Sequence, residues 1–290
     1  MTLHLDFAGL SDPGHVRELN EDAFHFEVKQ SADQLPVGLF IVCDGIGGHQ
    51  AGEVASHWAI ETVKQELANL FAARDPRATI RLAEPSGTRR LAETEMEDRL
   101  RRAVERANEV VHGYARNRPG EAADLGTTIT MALVQGTTAY VANVGDSRTY
   151  LIRGGRAAPI TRDHSLVASL VGAGQITPDE VYTHPQRNLI YRSLGQKSQV
   201  EVDVFRQELQ PGDVLLLCSD GLWEMVRDPE IVRIVAQTSD PQQACRRLVN
   251  AANAAGGEDN ITAVVVKVRS EACPERSRRA QPEGLEGGQA

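Results

Sequence analysis

The sequence predicts an α+β fold: an α-β-β-α sandwich in which two antiparallel sheets stack and helices flank them. Three observations lead there. Short, strongly apolar runs bounded by Gly, Asp and Pro read as strands. Two long segments carry apolar residues at helical spacing. The strand groups also stand apart from the helix groups instead of alternating with them.

Along the chain, strands are expected at residues 6–10, 23–28 and 38–43. Two helical patterns follow. Ala55, Trp58, Ala59, Thr62, Val63, Leu67, Leu70 and Phe71 form the apolar face of the first, and Leu100, Val104, Ala107, Val111 and Tyr114 that of the second. Between them, residues 74–94 are rich in Pro, Arg, Glu and Thr and read as a loose surface insertion. Further strands are expected at 127–134, 138–144, 148–153, 213–218 and 261–268, with a helix at 241–254. One domain is expected over 1–269. Residues 270–290, with almost no large apolar side chains, read as a disordered, dispensable tail.

Of the 290 residues, 41% are hydrophobic and 24% charged, ordinary values for a globular chain with a sizeable core. The net charge of −9 argues against nucleic acid as a partner, because a phosphate backbone attracts a basic footprint. No apolar run is long enough to span a bilayer and the N-terminus has no secretory pattern, so a cytoplasmic protein without membrane contact is expected. Cys43, Cys218, Cys245 and Cys273 lack zinc-like spacing, and three of them sit in apolar or helical contexts that suit reduced core thiols.

Four aspartates share one context. Asp44 and Asp220 each follow an apolar strand and precede a glycine, Asp146 follows the run 140–145, and Asp259 precedes the run 260–266. Taken singly, Asp-Gly after a strand is a hairpin signal. Taken together, the four can meet at one rim of a sandwich, because such apolar strands are interior. Carboxylates gathered there would raise one another's pKa unless a cation intervened. Oxygen ligands suit magnesium or manganese and do not suit zinc. The segment 14–22 adds Arg17, Glu21 and Asp22. It reads either as a solvated turn or as a place where the planar fork of Arg17 meets phosphate oxygens.

The segments RELNED (17–22), VCDGIGGH (42–49), GTT (126–128), VGDSR (144–148), CSDGLWE (218–224) and GGEDNITAVVV (256–266) occur in this order. With them the chain resembles the metal-dependent protein serine/threonine phosphatases, the PP2C-like or PPM family, in their compact bacterial form. The resemblance spans about residues 5–268. It implies two Mn2+ or Mg2+ ions bridged by Asp44. The Gly45 carbonyl would bind the second ion, and Asp220 and Asp259 would complete the ligands of the first. Glu21 and Asp22 would hold metal-bound waters, and Asp146 with Asp220 would bind a third, weaker ion. Arg17 would hold the substrate phosphate, and Asn260 would brace the Asp259 loop. A hydroxide between the two ions would attack phosphorus directly, with no phosphoenzyme.

The chain departs from some relatives at Ile46, where they carry a histidine that assists the leaving group; the next histidine here is His49. Residues 163–190 resemble the family's mobile flap, expected as a helix–loop–helix broken at Gly172–Gly174 and Thr177-Pro178. Within it Ser165, His184, Arg187 and Asn188 would influence substrate choice. The resemblance implies a monomer acting on phosphorylated proteins, among them a Ser/Thr kinase that it opposes. Two other readings stay open: a dedicated phosphatase for a sigma-factor antagonist, and a pseudophosphatase that binds without turnover.

Overall fold

The computed structural model describes residues 3–30, 35–47, 51–71, 88–118 and 125–270. Two five-stranded antiparallel sheets are present. One orders β1 (Leu3–Asp12), β12 (Ile261–Ser270), β11 (Val214–Cys218), β8 (Arg148–Arg153) and β9 (Arg156–Pro159). The other orders β10 (Asp203–Glu208), β7 (Thr138–Val144), β6 (Ile129–Gln135), β3 (Pro36–Cys43) and β2 (Ala23–Gln30). A two-residue pair, β4 (Gly45–Ile46) with β5 (Gly126–Thr127), links the end of β3 to the start of β6.

The central strands are buried on both faces, which explains their unbroken apolar sequence. In β3, Leu39, Ile41 and Cys43 pack beneath α1 (Ala51–Phe71) and α2 (Thr88–Arg116), while Phe40 and Val42 point into the layer between the sheets. In β11, Leu216 and Cys218 join the core shared with α5 (Asp228–Ala236) and α6 (Pro241–Ala254), and Leu215 and Leu217 face the other sheet. The predicted α-β-β-α sandwich is the observed one.

Register carries the chemistry-bearing segments to one end. Cys218 pairs with both Ala263 and Arg148, so the C-terminal end of β11 lies beside the starts of β12 and β8. Cys43 pairs with Ala23, which sets the end of β3 beside the start of β2. Asp22, Asp44, Asp146, Asp220 and Asp259 all sit within a few residues of these pairings.

Several expectations are corrected. The expected strand 127–134 is split at Thr128 into β5 and β6. Strands β9 and β10 were not expected; they are edge strands with mostly exposed or half-buried side chains and carry little apolar signal. Trp58 is 43% exposed, because the buried stripe of α1 runs through Gly52, Ser56 and Ile60 and leaves it just outside one edge. Of the expected insertion, residues 74–87 lie outside the described residues, and 88–94 form the first turns of α2. The tail expected from residue 270 starts later, since Ser270 still pairs with Leu3; residues 271–290 and Cys273 lie outside the described residues. The flap has only one α-helix, α3 (Leu166–Gly172), followed by a 3-10 turn, Glu180–Thr183. Among the described residues no helix is long and apolar enough to cross a membrane.

Candidate metal centre

At the end of the sandwich lies a cavity of about 210 Å³ lined by Arg17, Glu21, Asp44, Gly45, Ile46, Gly47, Thr128, Asp146, Asn188, Ile190, Asp220 and Asp259. Residues scattered over most of the chain thus share one space.

Each carboxylate is positioned by backbone held from elsewhere. The Asp44 carbonyl accepts from Thr128 N–H and Thr127 Oγ1, both at 2.8 Å, and Asp44 N–H donates to Thr128 Oγ1 at 3.1 Å. The GTT segment is therefore the clamp on Asp44. Gly45 is no hairpin turn. It lies in β4, and a Cβ there would stand 2.4 Å from the Gly52 carbonyl and 2.5 Å from that of Glu21. Asp220 opens the short helix α4 (Asp220–Trp223), and a Cβ at Gly221 would meet the Asn260 carbonyl at 2.2 Å. Both glycines permit close backbone approach, which corrects the simple turn reading of Asp-Gly.

Asn260 is a brace. Its Oδ1 accepts from Glu21 N–H at 2.8 Å, and its Nδ2 donates to the carbonyls of Pro13 (3.0 Å) and Leu19 (2.9 Å). This ties the 13–22 loop to Asp259, whose Oδ2 accepts from Arg17 Nη2 at 2.7 Å. Asp22 does not line the cavity. It is buried behind it, where its Oδ2 accepts from Ser219 Oγ at 2.7 Å.

The flap residues separate. Asn188 lines the cavity. Arg187 clamps the flap to the site's edge, donating to Glu224 at 3.0 Å and Glu258 at 2.8 Å. Ser165 is buried and caps α3, accepting from Ala168 N–H, and His184 accepts from Gln186 N–H; neither lines the cavity. His49 lies outside the described residues.

Several supporting residues escaped the sequence reading although their motifs were visible. Trp223 Nε1 donates to the Asp146 carbonyl at 3.0 Å, and the Arg148 guanidinium stacks 3.5 Å from the Trp223 ring. Arg148 in turn grips Asp163 with both Nε and Nη2. In VGDSR and CSDGLWE the arginine and tryptophan thus hold the backbone that carries Asp146.

The electrostatics are those of anions crowded out of water. Burial, then Asp220, then Asp22, push the Asp44 carboxyl well above the ordinary carboxylate range. Burial and then Asp146 do the same to Asp220. Burial, followed by Asp163, lifts Asp146 to about 7. Burial lifts Asp22 to about 6 against the opposing bond from Ser219. Among the described residues, Asp220 Oδ1 and Asp22 Oδ1 are buried with no hydrogen-bond partner. Unpartnered anionic oxygens beside other carboxylates are what a hard divalent cation satisfies. Among the described residues, no three Asp, Glu, His or Cys side chains form a finished cage. Magnesium needs none, because it binds through one or two carboxylates and keeps several waters. The donor set fits such ions.

A stability prediction follows from the sign of these shifts. A carboxyl whose folded pKa is raised binds its proton more tightly in the folded state. Its stabilising effect is complete below the unfolded value of 3.8 and is lost as pH rises through about 6 for Asp22 and about 7 for Asp146. The chelated protein should therefore melt several degrees lower at pH 7.5 than at pH 5. Mn2+ should raise Tm by about 5 °C or more at pH 7.5 and by less at pH 5. Calorimetry in matched buffers reads both; a chelated protein more stable at pH 7.5 would contradict the crowding of anions.

A family profile described as Protein phosphatase 2C matches residues 9–169 and 196–261. The gap between the two matched stretches contains most of the flap. The serine/threonine phosphatase stp of Listeria welshimeri is 34% identical over 265 residues, covering 91% of this chain and 96% of that protein. Among solved structures, the serine/threonine phosphatase Stp1 from Staphylococcus aureus superposes with a TM-score of 0.76 at 35% identity, over 92% of this chain and 96% of that one. The catalytic domain of the phosphatase PstP, solved in complex with two manganese ions, gives 0.73 at 34% identity, over 92% of this chain and all of that one.

Proposed function

Since this chain belongs to the protein phosphatase 2C family of serine/threonine phosphatases, we propose that its acidic cavity cleaves phosphoserine and phosphothreonine in proteins by direct attack of water on phosphorus, with Mn2+ or Mg2+ held by Asp44, Gly45, Asp220 and Asp259. The observation that most supports this is the meeting of Asp44 and Asp220 in one cavity, where burial and then neighbouring carboxylates (Asp220 on Asp44, Asp146 on Asp220) push both toward protonation, with Arg17 on the cavity wall.

Bound divalent cations supply Lewis acidity: they draw charge from phosphate oxygens and lower the pKa of water. The chain's own residues orient the substrate. The Arg17 side chain is half exposed and spends one N–H on Asp259, which leaves other donors of its fork for phosphate oxygens. Hydrogen bonds to the folded carboxylate and burial act on Arg17 in opposite senses, with the bond to Asp259 the larger; it stays cationic. Glu21, on the cavity wall, accepts from Gly52 N–H at 3.2 Å and fits as an acceptor for waters around the ions; Asp22, fixed by Ser219 behind the wall, would reach such a water only through its unpartnered Oδ1. Asp146 with Asp220 fits a third, weaker site.

No side chain is needed as nucleophile. Cys43 and Cys218 are fully buried, and burial pushes both thiols upward, so neither supplies a thiolate. A pseudophosphatase would lack ligands, whereas Asp22, Asp44, Asp146, Asp220 and Asp259 are all present. Asn188 and Arg187 fit a role in substrate choice. We place the enzyme opposite a Ser/Thr kinase in a bacterial cytoplasm, as a monomer; the buried free thiols of Cys43, Cys218 and Cys245 suit a reducing compartment.

The test is hydrolysis of a phosphothreonine peptide and of p-nitrophenyl phosphate with Mn2+, with Mg2+ and with EDTA. Both substrates should turn over with metal, and EDTA should remove at least ~100-fold of the rate. A rate indifferent to EDTA would refute the proposal.

A further inference from the structure

In and beside the acidic cavity stand aliphatic side chains for which the chemistry above has no use. Ile46 and Ile190 stand in its wall. Next in the chain to lining residues, Val16 is 65% and Leu189 50% exposed, and Leu19 between Arg17 and Glu21 is 45% exposed, three of the six large hydrophobic side chains left exposed among the described residues. Val16 and Leu19 bracket Arg17 and Glu18, while Leu189 lies between Asn188 and Ile190.

The two segments lie far apart in sequence, yet both are tied to the turn that carries Asp259. His15 N–H and Val16 N–H donate to the Gly257 carbonyl at 2.8 and 3.3 Å, and Arg187 Nη2 donates to Glu258 at 2.8 Å. Singly exposed leucines are ordinary. Three exposed aliphatic side chains on two segments that meet at the turn beside a polar cavity, in a chain of net charge −9, are instead the pattern of a binding surface.

We propose that Val16, Leu19 and Leu189 form subsites for apolar residues that flank the phosphorylated residue of a substrate, so that the enzyme selects phosphopeptides carrying a large aliphatic or aromatic side chain next to the phosphate. This rests on the reading of the cavity as the phosphate site. The occupant is an extended peptide because Arg17 and Asn188, which line that cavity, directly adjoin Val16 and Leu189 in the chain: a substrate whose phosphate reaches Arg17 brings its flanking residues toward these side chains. Glu18, exposed beside Arg17, disfavours acidic flanks at the same place. Partial burial of one large aliphatic side chain corresponds to about tenfold in kcat/KM.

The experiment compares three phosphothreonine peptides, with Leu, Ser or Glu on both sides of the phosphoresidue, against p-nitrophenyl phosphate under Mn2+. Wild type should favour the Leu peptide over the Ser peptide by about tenfold or more, mainly through KM, and the Glu peptide should be worst. The double variant Val16→Ser with Leu189→Ser should bring the Leu and Ser peptides within about twofold, measured relative to each variant's own aryl phosphate rate. Equal use of the Leu and Ser peptides by an enzyme that turns over aryl phosphate would overturn the inference alone. So would a double variant that keeps the preference. Failure of wild type on every substrate would overturn the phosphatase reading, and the inference with it.

Discussion

Asp44→Ala is expected to lower kcat/KM toward a phosphothreonine peptide by about a thousandfold or more under saturating Mn2+. Asp44 is the carboxylate on which the cavity converges: Asp220, Asp22, Asp146 and Asp259 all act on its pKa. Its backbone is clamped by Thr127 and Thr128, so loss of the side chain should leave the strand end in place. Stability should move the other way. A buried carboxylate among like charges is costly, and its removal relieves the repulsion. The chelated variant should melt at or above the parent's temperature, while Mn2+ raises its Tm less than the parent's. An inactive variant that also unfolds at a much lower temperature would point to a structural role for Asp44. One that hydrolyses peptide as fast as the parent would remove the basis of the proposed chemistry.

Gly221→Ala should produce the largest loss of stability, roughly 3 kcal/mol or more. The new Cβ would lie 2.2 Å from the Asn260 carbonyl oxygen and 3.0 Å from its carbon, and both are backbone atoms. That backbone cannot yield cheaply. The Asn260 side chain is held by three hydrogen bonds, and Thr262 N–H donates to Ser219 Oγ at 2.9 Å. Relief of the clash would part Asp220 from Asp259, so activity should fall together with stability. Gly113 is the control: it lies in α2 with nothing within 4 Å of a Cβ, so Gly113→Ala should stabilise by about 0.5–1 kcal/mol. Urea unfolding of both variants tests the pair, and a Gly221→Ala protein as stable as the parent would show that the two loops are not so close.

The strands legible in advance were those buried on both faces. β7 and β8 run over the predicted residues, because a strand packed between a helix layer and a second sheet must be apolar at nearly every position. β10 carries Asp203, Arg206 and Glu208 on a sheet edge, where period-two alternation is weak and charge is tolerated. The helix at 241–254 was equally plain, with Asp240 accepting from Gln242 and Gln243 N–H and Pro241 in the first turn. In the flap, by contrast, the family resemblance implies a role in substrate choice for Ser165, whereas its hydroxyl caps α3, the role that a serine directly before an apolar run signals.

Composition and order of residues were sufficient for the fold class and pointed to the acidic side chains that line the cavity, Asp22 apart, since burial dictates apolarity and aspartates at the ends of buried strands gather where those ends meet. They could not distinguish an Asp-Gly turn from an Asp-Gly close approach, nor tell that Trp223 and Arg148 hold the Asp146 segment in place; the bracing by Asn260 is implied only by the family resemblance, without its partners. Those roles depend on distances of a few ångströms between residues up to 247 positions apart, such as Asn260 and Pro13. Antiparallel register brings strand ends together, and no local pattern records which backbone oxygen then stands opposite a given glycine.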